Sequence, residues 1–111
     1  MSTAPMLRAL PEKGQIWDDP SEDGLFLLLE DIESGEAGAF LIVERTSDPS
    51  GQTYAQVMRR SDGSYRVEHR EGDSDHHYGA VAADMRAAHR LLAGWAFNID
   101  GWQISATWSQ I

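Results

Sequence analysis

The chain has no cysteine, which rules out disulfides, thiolate metal sites and a cysteine nucleophile together. That fits a reducing cytosol. Lysine is nearly as scarce: Lys13 stands alone, in a stretch without periodicity, and offers little to Schiff-base chemistry. Long apolar runs are missing too. The opening residues MSTAPMLRALPEKGQ hold neither a signal-peptide core nor a membrane span, so the expectation is a cytoplasmic protein with no membrane contact. No nucleophile elbow, HExxH spacing or glycine-rich phosphate loop is present, and there is no internal repeat. On these grounds the chain is expected not to be an enzyme and to need no cofactor.

What is present suits one small domain. The 111 residues are 41% hydrophobic and include four tryptophans, enough for one core. Charge is lopsided, with 18 acidic against 9 basic side chains, a net of −9. Residues 1–39 carry nine acids against Arg8 and Lys13. Such a field repels phosphate backbones, which argues against nucleic acid, and attracts a cationic partner. Plain solubility is the simpler use of the same charge.

The stretch from Gln52 to Ala82 reads as three strands separated by turns at Ser61–Ser64 and Glu71–Asp75. Asp62-Gly63 suits a two-residue type I′ turn, which would pair Arg60 with Tyr65, Met58 with Val67 and Gln56 with His69. In that register Tyr65, Met58 and Val67 are buried, while Arg59, Arg66 and Arg70 surround Glu68 on a solvated side. Residues 39–45 form an internal strand. Upstream, residues 1–15 read as a loose arm ahead of a domain spanning 16–111. Asp19-Pro20-Ser21-Glu22 is a helix start with Asp19 as cap, followed by Leu25, Leu28, Leu29 and Ile32 at helical spacing. A buried strand over LFLLLE is the alternative. Asp84 caps a second helix from Met85 to about Phe97. The last run, Trp102 to Trp108, alternates as a half-buried strand. The fold class is α+β: a single domain with a mostly antiparallel sheet of about five strands and two helices packed on one face.

Candidate chemistry is sparse. His69, His76 and His77 could supply metal ligands, but neighbouring histidines on a strand point to opposite faces. Glu44 and Glu68 lie on strands, yet the arginines around Glu68 suit ion pairing better than acid–base work. Trp95, Trp102 and Trp108 fall at core-facing positions, so packing accounts for them without a ligand pocket. Trp17, ahead of the first helix among few apolar residues, either docks the arm or anchors a partner.

The hairpin with its Asp62-Gly63 turn, a further strand, the helix DMRAAHRLLAGWAF and a terminal strand ending Ala106-Thr107-Trp108-Ser109-Gln110-Ile111 follow one another over residues 38–111. This order resembles the immunity proteins of bacterial polymorphic toxin systems, in particular immunity protein family one. The resemblance implies a non-enzymatic antitoxin that binds a cognate toxin domain, commonly a nuclease or deaminase. Enzymes that grip polyanions tend to be basic, so an acidic surface could occupy their site. On that reading Asp18, Asp19, Glu22, Asp23, Glu30, Asp31 and Glu33 supply the field and Trp17 an anchor. The alternatives are an interaction or regulatory module, dimeric through an open sheet edge, and a metal-dependent protein using the histidines. Oligomeric state is open on sequence alone.

Overall fold

The computed structural model describes residues 5–111. Seven strands, β1 (Leu7–Pro11), β2 (Trp17–Asp18), β3 (Phe40–Arg45), β4 (Thr53–Arg59), β5 (Tyr65–Glu71), β6 (His77–Ala82) and β7 (Ser109–Gln110), join two helices, α1 (Glu22–Ser34) and α2 (Met85–Phe97). They form one sheet in the order β2-β1-β3-β4-β5-β6-β7, with every neighbour antiparallel. This is the expected α+β class. The strand count is seven rather than about five.

Side-chain alternation decides which face of the sheet is covered. Leu41 and Val43 of β3, Ala55 and Val57 of β4, and Tyr65 and Val67 of β5 share a face in the observed register and are all buried. Leu25, Leu28, Leu29 and Ile32 of α1, with Leu91, Leu92 and Trp95 of α2, complete one core with them. Both helices therefore lie on the same side. The opposite face keeps Leu10, Phe40 and Ile42 only partly covered and Met58 exposed.

Four local expectations are corrected. Residues 7–11 are no loose arm; they form β1, hydrogen-bonded on both sides between β2 and β3. Leu7 and Ala9 alternate into the core, too short a pattern to show against two prolines. Residues 1–4 of that arm lie outside the described residues. Asp19 does not cap α1. Ser21 does, accepting from the Gly24 amide at 3.0 Å, while Asp19 sits at φ 50° and accepts from the Met6 and Leu7 amides. That fastens the start of β1 to the turn before α1.

The hairpin register is displaced by one residue. Arg59, not Arg60, faces Tyr65, and Val57 faces Val67. Arg60 donates to the Ser64 carbonyl, and the Gly63 amide to the Arg60 carbonyl, closing a three-residue loop with Gly63 at φ 88°. That is a type I turn followed by a left-handed glycine, not the two-residue turn. A one-residue slip exchanges faces, so Ala55 and Val57 go inward and Met58 outward. Lastly, Trp102–Trp108 is not a strand. Gln103–Ser105 is a single 3-10 turn, Ile104 is 90% exposed, and the terminal strand is confined to Ser109–Gln110.

Candidate functional site

Where β5 and β6 run past the C-terminal end of α2, three tryptophans converge from different segments. Trp95 belongs to α2, Trp102 to the turn after it, and Trp108 to the lead into β7. With Tyr78, His69 and Glu71 they line an open groove of about 530 Å³. The His69 ring forms its floor. Its centroid lies 4.7 Å from Trp108 and 5.2 Å from Trp102, nearly perpendicular to both, and 5.2 Å from Tyr78. Perpendicular contacts set positive ring edges against negative ring faces.

His69 is 6% exposed and held by a carboxylate. Glu71, two residues on and thus on the same face, places Oε1 2.8 Å from His69 Nδ1. Trp95 Nε1 donates to the same oxygen at 2.7 Å. Burial opposes ionisation of Glu71 most, but the hydrogen bonds from His69 and Trp95 together with the attraction of His69 and the Arg45 guanidinium outweigh it, and the carboxyl lies below its ordinary range. An ionised Glu71 can only accept, so His69 Nδ1 carries the hydrogen. His69 Nε2 makes no hydrogen bond to the described residues. No buried side-chain nitrogen or oxygen among them lacks a partner, so Nε2 is reached from the groove. Arg45 closes the far wall, its guanidinium 4.3 Å above the Trp95 ring. Its Nη2 donates to the Trp95 carbonyl at 2.6 Å and its Nη1 to that of Ala96 at 3.4 Å, satisfying the last turn of α2.

The acids expected to form one field divide into two groups. Asp18 pairs with Arg8 at 2.8 Å, and Asp19 holds the backbone of β1. Glu33 accepts from Arg59 at 2.6 Å and from the Tyr65 hydroxyl at 2.5 Å, which together keep its carboxyl below the usual range. Glu22, Asp23, Glu30 and Asp31 remain. All four are exposed on the outer arc of α1, and none makes an ion pair with another described residue. Leu27, 55% exposed, lies among them. Trp17 is 41% exposed and rests near Gly24, where an added Cβ would lie 3.8 Å from its ring, so it is partly docked and partly free.

Comparison with protein-family models, curated proteins and solved structures finds no match.

The histidines do not gather. His69 faces the helices, and His77 faces the uncovered side of the sheet. There Arg70 Nε donates to His77 Nδ1 at 2.8 Å, so His77 Nε2 carries the hydrogen and donates to Glu68 Oε1 at 2.8 Å. His76 is exposed and paired with Asp73, which raises its pKa. Among the described residues no three His, Asp or Glu side chains are placed to hold a metal ion. No helix of the described residues is long and apolar enough to cross a membrane.

The groove was not found from sequence because Trp102 and Trp108 alternate with Ile104 and Ala106, a pattern that assigns them to a core strand. The available signal was Gly101, at φ 87°, in a run with Asn98, which breaks regular structure immediately before Trp102.

Proposed function

We propose that this protein works by binding rather than by chemistry, capturing a cationic protein partner on the acidic arc of α1. The specific form we propose is immunity: neutralisation of a cognate, basic toxin domain. The observation that carries the reading is the set of exposed carboxylates Glu22, Asp23, Glu30 and Asp31 around Leu27, none of them in an ion pair with another described residue, although Arg86 and Arg90 lie beside Glu22 and Asp23. Charge of one sign around an apolar contact speeds encounter and leaves Leu27 to be buried on docking. The family resemblance supports the toxin half of the proposal through the α2 helix and the tryptophan that follows it; its terminal strand is shorter here than that pattern expects.

Co-expression with the product of the neighbouring reading frame tests the reading by co-purification and rescue of growth. The paired substitution Asp23→Lys and Glu30→Lys should slow association about tenfold or more at low salt, whereas Arg86→Gln should not. Equal effects would remove α1 from the interface, and failure to rescue or co-purify would remove the toxin. A second reading, an interaction module working as a homodimer, is favoured by the half-covered face bearing Leu10, Phe40, Ile42 and Met58. It gains nothing from the sheet edges: β2 and β7 are two residues each and template little pairing. Sedimentation at increasing concentration separates the two.

A further inference from the structure

We propose that the groove walled by Trp102, Trp108 and Tyr78 binds an organic cation with N–H donors, a guanidinium or alkylammonium group, received by His69 Nε2 and Glu71. The inference rests on other residues than the acidic arc on α1, of which only Glu22 comes near Trp102, and holds whether or not a toxin is the partner.

Three features of the groove together favour a cation that carries N–H donors. Glu71 is ionised, and its Oε2 receives no hydrogen bond from the described residues. His69 is a buried residue whose Nε2 is open to the groove, and in the neutral ring that nitrogen is an acceptor, for which a ligand must bring a donor. The groove is lined by aromatic rings, whose quadrupoles attract cations to their faces, worth about 0.5–2 kcal/mol per contact in general. One positive side chain, Arg45, also lines the groove; its N–H groups go to the Trp95 and Ala96 carbonyls, while its charge is balanced in part by Glu71. Its guanidinium over Trp95 is an internal copy of the proposed contact. His76 at the rim is matched by Asp73. An anion would meet Glu71, lone pairs and a chain of net charge −9.

Packing alone does not account for the site. Trp102 and Trp108 are half-buried, the Ile104 between them points into solvent, and a purely structural cluster has no use for an open imidazole nitrogen on its floor.

Tryptophan fluorescence and indole N–H NMR shifts of the full chain, titrated with ethylguanidinium and with acetyl-Gly-Arg-Gly-amide, test the proposal. N-ethylurea serves as the uncharged control. The expected result is a saturable response to at least one cation, with the Trp102 and Trp108 indole signals moving most and none moving with the urea. Response to the peptide alone assigns the ligand to a protein side chain, and response to ethylguanidinium alone assigns it to a small molecule. Glu71→Gln, which keeps an acceptor for Trp95, should weaken binding tenfold or more, and Val81→Ser, on the other face, should leave it unchanged. Thermal melts establish that both variants fold; should Glu71→Gln fail, the wild-type shift map decides. An equal response to the urea, no saturation with either cation, or shifts remote from the groove would overturn the assignment.

Discussion

Glu33 owes its low pKa to hydrogen bonds at the edge of the core, from the Tyr65 hydroxyl first and the Arg59 guanidinium next. Tyr65 is displaced in the opposite direction: burial first, and Glu33 second, hold its proton far above the ordinary range. The phenol is thus a permanent donor, and the titrating partner is the carboxylate. Glu33 ionises below its ordinary 4.5 when folded, so it stabilises the protein above that pH. The contribution is lost as pH falls through the folded value. Glu33→Gln should cost about 1 kcal/mol near neutrality, discounted from a charged hydrogen bond for its exposure. Urea unfolding at pH 7 and again well below 4.5 measures the difference, which should shrink at the acid pH. A gap of unchanged size in acid would mean that shape rather than charge sustains the contact.

Between elements, α2 and the turn behind it are joined by the absence of a side chain. A Cβ added at Gly94 would lie 2.2 Å from Trp102 Cβ and 2.9 Å from its Cγ, near the root of a bulky ring that cannot swing clear. Alanine improves helix propensity by about 1 kcal/mol in an open helix. Here the forced displacement, typically about 1–3 kcal/mol, outweighs it. Gly94→Ala should lower the melting temperature and shift the Trp102 emission as the ring is pushed from the groove; a variant more stable than the parent would refute the contact. Glycine inside DMRAAHRLLAGWAF carries no such message when read as letters. Helical spacing was legible at Leu25, Leu28, Leu29 and Ile32, and at Asp84 as a cap, because those signals are local. The hairpin was legible as a hairpin but not in register: Asp-Gly serves a two-residue and a three-residue loop alike, and the choice moves Met58 from core to solvent. β1 escaped notice because its two inward residues mean nothing until β3 lies alongside. The groove depends on three tryptophans from separate segments, and only the finished fold sets them around His69.

At the scale of the whole molecule, excess negative charge acts on the protein and on its encounters in opposite ways. A net of −9 on 111 residues disfavours the compact state through self-repulsion. The ion pairs that offset it, Arg8–Asp18, Arg59–Glu33 and Arg66–Glu68, are all at least partly exposed and so individually weak. Sodium chloride screens distant repulsion over about 10 Å at 0.1 M, while contact pairs lose less. Melting temperature should therefore rise between about 0.01 M and 0.5 M salt, a range in which the screening length falls severalfold. Association with a cationic protein should slow over that same range, because the field that burdens the fold is the one that guides the partner. The two slopes come from one charge distribution, so Asp23→Lys with Glu30→Lys should flatten both together. If melting temperature instead fell with salt in the parent, local pairs would dominate, and the carboxylates of α1 would contribute to neither the fold's repulsion nor the partner's approach.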